Sequence, residues 1–383
     1  MKRDRWESSS DEEPEVSGPT NSNAVGPVNT SRASHPPSVA TIKLTAAHNH
    51  SLPLYNPLLQ GCRLVYDSYE RIKRLEEGTY GVVWKARDLA TQEIVALKQI
   101  KFDSDMIKEG FPLTALREIN VLLSLSHESI VSVKEMVVGS GFDKVFMVME
   151  IMEMDLKEAM KRTGEGPFTQ SELKGMLHQI LAGMQHIHDK WLLHRDMKTS
   201  NILVHSSGRV AICDFGLARK FQHPLKPLTQ MVITLWYRPP ELLFGEQVYG
   251  PAVDMWSIGC IMGELITKDA ILQGQGELDQ ADKIFRLVGA VTPDNWPDFE
   301  HLPSSGIFRW KSHNREGELA TRFPVNSSLG GNTFLDGNGF DLLKKLLTLD
   351  PKKRIDANDA LNHNYFKEGV AKQTPKFYFD NPH

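Results

Sequence analysis

The sequence predicts an α+β fold in two lobes, the first rich in strands and the second in helices, behind a disordered N-terminal tail. Three observations predict it. Residues 69–151 alternate apolar and polar positions with the two-residue period of strands, interrupted by one helical stretch. Residues 152–366 place apolar side chains three and four apart, the period of helices. Residues 1–65 are rich in Ser, Pro, Asn and Thr and poor in large apolar side chains, with six acidic and six basic residues in balance. Such a segment cannot bury enough surface to offset its ordering entropy.

At 383 residues the chain is long enough for two lobes with separate cores. The formal net charge of −4 gives no reason to expect direct nucleic-acid binding. Cys62, Cys213 and Cys260 are widely spaced and odd in number, which fits neither a disulfide framework nor a zinc site and points to a reducing, intracellular compartment. The chain has no apolar run of 18 residues and no signal-peptide core, so a soluble protein without a membrane partner is expected.

Within the first lobe, residues 76–83 lie between two alternating runs and read as a strand-turn-strand lid. Gly78 and Gly81 let its backbone approach phosphate oxygens without a Cβ in the way. Residues 94–98 (IVALK) are a β-patterned run carrying Lys98. A helix follows at about 112–126, with Leu116, Ile119 and Leu123 on one face and Pro112 suited to its first turn. Residues 145–150 read as a buried strand leading into a connector. In the second lobe, Leu173, Met176, Leu177, Ile180, Leu181, Met184 and Ile187 form one long apolar stripe. That helix is scaffold, and His178, His186 and His188 on it form no metal set.

The most informative stretch is residues 194–201 (HRDMKTSN), followed by Asp214-Phe215-Gly216. It places a carboxylate, an ammonium, an amide and a second carboxylate in fixed order. That inventory suits phosphoryl transfer from a nucleotide to a hydroxyl. Asp196 can accept the hydroxyl proton, Lys198 can hold the γ-phosphate, and Asn201 and Asp214 can share magnesium. The lid and Lys98 stand upstream in the order this chemistry requires, with Lys98 placed to grip the α- and β-phosphates.

With residues 77–83 (EGTYGVV), 155–157 (DLK), 234–241 (TLWYRPPE) and 254–261 (DMWSIGCI), these motifs resemble the eukaryotic protein kinases, and among them the cyclin-dependent kinases. The resemblance covers residues 69–366, divided into an N-lobe at 69–151 and a C-lobe at 152–366, and leaves 367–383 as a C-terminal tail. Residues 112–118 (PLTALRE) resemble the cyclin-contacting helix of the PITSLRE-type and plant G-type kinases. Glu76 stands where the lid usually has its first glycine, and Pro239 where the family usually has alanine.

The resemblance implies a cyclin-dependent serine/threonine kinase using ATP and Mg2+. Glu118 would pair with Lys98, so that Asp196, Lys98, Lys198 and Glu118 form the catalytic group. The nucleotide would lie against Leu75, Glu76, Glu77, Gly78, Thr79, Tyr80, Gly81, Val82, Val83, Ala96 and Leu203, with Met149 at the rear. The backbone of Glu150 and Met152 would bond adenine, with Asp155 at the ribose. Thr229 resembles the activating phosphothreonine, read by Arg117, Arg195 and Arg219, and Thr79 and Tyr80 resemble inhibitory phosphosites. Arg238 resembles the arginine that sets a preference for Ser/Thr-Pro. Asp254 would brace the catalytic loop, and Arg354 would pair with Glu241. The implied partners are a cyclin, of L-type in the nearest relatives, and protein substrates. The implied setting is nuclear, in transcription, pre-mRNA splicing or the cell cycle. A binding-only pseudokinase would need a broken catalytic set, and the set is whole. A mitogen-activated type would need a Thr-x-Tyr pair where residues 228–231 read LTQM.

Overall fold

The computed structural model describes residues 61–78, 81–100, 113–140, 144–162, 168–230, 232–307, 316–325, 328–329, 332–333 and 335–377. The expected disorder of residues 1–60 therefore lies outside the described residues, as do Thr79, Tyr80 and Pro112.

The N-lobe is a six-stranded sheet of β1 (Arg63–Leu64), β2 (Tyr69–Gly78), β3 (Gly81–Asp88), β4 (Ile94–Ile100), β5 (Val133–Val138) and β6 (Val145–Glu150), in the order β1-β5-β6-β4-β3-β2. All pairings are antiparallel except β1 with β5. β1 falls in the segment that composition reads as tail. The Arg63 guanidinium holds it, donating to Tyr69 Oη (2.8 Å) and Asp88 Oδ2 (3.1 Å) and gripping Glu135. β2 and β3 make the expected lid hairpin, with Gly78 opposite Gly81. The register of β4 sets Lys98 opposite Val83 on one side and Met147 on the other.

Among the described residues six helices reach seven residues: α1 (Leu113–Ser124), α2 (Leu156–Arg162), α3 (Gln170–Asp189), α4 (Ala252–Thr267), α5 (Glu277–Val288) and α6 (Gly337–Leu346). α1 is the longest helix described in the strand-rich lobe, where a single helical turn, Val65–Ser68, also joins β1 to β2. α3 begins with a capping box. The Thr169 side chain accepts from the Glu172 N–H, and Glu172 Oε2 accepts from the Thr169 N–H at 3.0 Å. Its apolar stripe is buried throughout. α4 is apolar on all sides and buried from 253 to 266, as expected of a helix at the centre of a lobe.

Short strands carry the loops between these helices. β7 (Met154–Asp155), β9 (Ile202–Val204) and β10 (Val210–Ile212) form one antiparallel sheet, and β8 (Leu192–Leu193) pairs with β11 (Arg219–Lys220). Residues 368–377 have no regular secondary structure, yet Pro375 and Phe377 are buried. The segment that sequence leaves as a tail is packed onto α3 as far as residue 377.

Candidate active site

β4 brings Lys98 and α1 brings Glu118 to the same point. Lys98 Nζ lies 2.6 Å from Glu118 Oε1, and both side chains are largely buried. Burial works against the ammonium, but the charges of Glu118 and Asp214 outweigh it and hold the Lys98 pKa above its ordinary value. The amine is held as a buried cation between the two carboxylates.

The 194–201 loop leaves β8 and carries the second group. Lys198 Nζ donates to Asp196 Oδ2 (2.7 Å) and to Thr234 Oγ1 (3.2 Å). Asn201 Nδ2 donates to the Asp196 carbonyl (2.8 Å) and to its Oδ2 (3.0 Å). The Thr234 hydroxyl donates to Asp196 Oδ1 at 2.9 Å. The carboxylate is therefore held from both sides in one orientation, as a proton acceptor requires. Because the Asn201 amide nitrogen is engaged twice, its carbonyl oxygen is the atom left for a metal. Asp214 has a left-handed backbone at φ 63°, while Phe215 next to it is fully buried and meets the His194 ring edge-on at 4.9 Å. This anchor fixes where the Asp214 carboxylate starts.

Asn201 and Asp214 fit magnesium in kind: both offer oxygen, and Mg2+ takes one or two protein groups plus phosphate oxygens and water. Among the described residues there is no group of three His, Cys, Asp or Glu that could hold a metal ion.

The apolar residues expected against the nucleotide are placed as follows. Met149, Leu203 and Cys213 are half-buried against Val131, Met152 and Ala211, Ala96 is buried, Val83 is half-buried, and Leu75 is exposed at the lid edge. Asp155 Oδ1 accepts from the Glu158 N–H (2.8 Å). The Glu150 side chain turns away to Arg209 and to the Ser132 N–H (2.8 Å), and the Glu150 N–H donates to the Ser132 carbonyl (3.2 Å). Of the lid residues, 76–78 and 81–83 lie on β2 and β3, and Thr79 and Tyr80 lie outside the described residues.

Asp254, at the start of α4, is wholly buried. It accepts from the backbone N–H of His194 (3.0 Å) and of Arg195 (2.8 Å), and its Oδ2 lies 3.0 Å from His188 Nε2. Burial alone would raise its pKa, but these bonds prevail and hold it below the usual carboxylate value. His188, excluded as a metal ligand from sequence, is thus a support of the catalytic loop. The bidentate Arg354–Glu241 pair forms as expected at 2.7 and 2.9 Å.

Arg195 is buried with a left-handed backbone (φ 64°). Its Nη1 donates to Tyr249 Oη at 2.9 Å, and the Tyr249 hydroxyl donates to the Thr229 carbonyl. The link to Thr229 therefore runs through Tyr249, which sequence reasoning missed because no spacing ties 249 to 195. Burial, with smaller contributions from the charges of Arg117 and Arg195, lowers the Arg219 pKa, and Arg219 Nη1 donates to the Ala218 carbonyl at 2.8 Å. Thr229 itself is exposed. Arg238 Nε donates to the carbonyls of Val232 (3.0 Å) and Ile233 (3.2 Å), and Ile233 is left-handed at φ 64°. A second missed cluster is Glu264, which accepts from the hydroxyls of Thr199 (3.0 Å) and Tyr237 (2.7 Å) beneath the loop.

This geometry agrees with comparison to known proteins. A family described as "Protein kinase domain" matches residues 69–366. "Cyclin-dependent kinase G-1" of Oryza sativa subsp. indica is 53% identical over 312 residues, covering 81% of this chain and 44% of the rice protein. "Cyclin-dependent kinase G1" of Arabidopsis thaliana is 50% identical over 315 residues, covering 81% and 50%. "Cyclin-dependent kinase 11B" of Rattus norvegicus is 44% identical over 342 residues, covering 89% and 74%. The chain spans half or less of the length of the two plant relatives. The kinase-domain match over residues 69–366 and the cyclin-dependent kinases of rice, Arabidopsis and rat lead to one conclusion: the chain belongs to the protein kinase family, in its cyclin-dependent branch.

Proposed function

We propose that the chain is a cyclin-dependent serine/threonine kinase that moves the γ-phosphoryl group of ATP to protein hydroxyls. The observation that carries this reading is the joint placement of the Lys98–Glu118 pair and the Asp196–Lys198–Asn201 group on facing elements. Asp196 orients the acceptor hydroxyl and takes its proton as the bond to phosphorus forms. Lys198, beside it, neutralises charge on the transferring group, and Lys98 does so at the other end of the triphosphate. Asn201 and Asp214 supply oxygen ligands to Mg2+, which when bound neutralises phosphate charge.

Substrate selection follows from Arg238. By holding the carbonyls of Val232 and Ile233, it leaves a substrate N–H after the acceptor residue without a partner. Proline has no N–H to lose, so Ser/Thr-Pro sites are favoured. The cyclin would seat on α1 and thereby set the position of Glu118; the relatives' printed names support this partner. The resemblance to PITSLRE-type and plant G-type kinases supports an L-type cyclin and nuclear work in transcription, pre-mRNA splicing or the cell cycle.

The test is affinity purification of the chain, identification of the bound cyclin, and a phosphorylation assay on Ser-Pro peptide. Asp196→Asn should lower kcat by about 10²- to 10⁴-fold, the span of a lost general base. Equal turnover by both proteins removes Asp196 from this role, and absence of any cyclin removes the partner.

A further inference from the structure

We propose that Thr374 is a phosphorylation site for a proline-directed serine/threonine kinase, and that docking of the C-terminal strap, residues 368–377, controls access to it. The strap is held by parts that sequence position alone does not connect. Lys174 Nζ, buried in α3, donates to the carbonyls of Glu368 (2.8 Å) and Val370 (3.0 Å). The Gln373 N–H donates to the Ser171 carbonyl at 3.0 Å. Phe377 packs edge-on against Phe168. Two glycines make room: a Cβ on Gly175 would stand 1.8 Å from the Gln373 carbonyl oxygen, and one on Gly208 would stand 2.2 Å from Thr374 Cγ2.

Thr374 is exposed between these anchors and is followed by the buried Pro375. Its methyl packs on Gly208, while its hydroxyl makes no hydrogen bond among the described residues. A kinase cleft needs several residues of free extended chain around the acceptor. In the docked strap the backbone N–H of Gln373 is engaged and Pro375 is packed against Gly208, so only a released strap is a substrate. The rate of modification then scales with the released fraction. In the step itself the Thr374 hydroxyl oxygen bonds to the γ-phosphorus of ATP as the bridging bond to the β-phosphate breaks. The hydroxyl proton passes to the kinase's carboxylate base, and ADP leaves.

The experiment uses the full chain carrying Asp196→Asn, an added mitogen-activated-type kinase with MgATP, and mass spectrometry of residue 374. This arm does not depend on the chain's own activity. Labelling should be slower than in a free peptide of residues 368–377 by about tenfold or more. Gly175→Ala, which favours α3 while displacing Gln373, should close most of that gap, and Thr374→Val should abolish the label. Equal rates for intact chain and peptide overturn the control by docking. Absence of label on Thr374 in both the intact chain and Gly175→Ala overturns the site. A parallel arm with MgATP alone identifies the source: label in the wild-type chain but not in Asp196→Asn assigns the step to a second copy of this chain.

Discussion

Lys98 on β4 and Glu118 on α1 are 2.6 Å apart, and their ion pair ties the helix to the sheet. Movement of α1 therefore removes the partner of the lysine. Glu118→Gln should lower kcat/KM by about 10²-fold, the effect of misplacing a positioned group by an ångström. Steady-state kinetics with Ser-Pro peptide checks it, with circular dichroism showing an unchanged fold.

Arg354 and Glu241 form a bidentate pair with both side chains inaccessible to solvent. Removing one partner strands a buried charge. Arg354→Ala should cost about 3–5 kcal/mol of stability, measured by urea unfolding, and activity should vanish through unfolding and not through chemistry.

Lys268 caps α4 in a left-handed conformation with its ammonium 3.5 Å above the Phe168 ring. Burial lowers its pKa to about 8, against an unfolded value of about 10.4. Below pH 8 both states are protonated and the folded state bears the full cost. Between the two values the unfolded chain binds more protons, so stability rises with pH. Partial exposure and the aromatic ring reduce the cost to about 1 kcal/mol. Lys268→Met should raise Tm at pH 7, and the gain should fade as the pH passes from 8 to above 10.

The exposed Thr229 is linked through its carbonyl and Tyr249 to the buried Arg195, and the charges of Arg117 and Arg195 depress the Arg219 pKa. A phosphate there would accept charge-assisted bonds and relieve the repulsion. Thr229→Ala should lower the activity of the cyclin-bound enzyme by roughly 5- to 150-fold, the usual span for coupling between two sites. Phosphate analysis of the active protein should place the modification on residue 229.

Asp196, Lys198, Asn201 and Asp214 are legible in the sequence because the chemistry demands fixed residue types in a fixed order. The strands and α3 are legible because burial of one face imposes a period. Tyr249, His188 and Glu264 are not, because each acts through contacts distant in sequence that leave no local pattern. The strap is illegible for a related reason: its fit depends on Gly175 and Gly208, which lie far from it in sequence and on other elements. β1 escapes notice because a single arginine, Arg63, orders a stretch whose composition is that of a tail.

Asp254 ties the backbone amides of His194 and Arg195 to the most enclosed helix of the lobe. Those amides then have no private opening motion: to exchange with solvent they must wait for α4 itself to come apart. In deuterium they should be among the slowest protons of the molecule. The loop that performs the reaction would thus share its clock with global unfolding, while the lid and the activation segment on either side keep faster time.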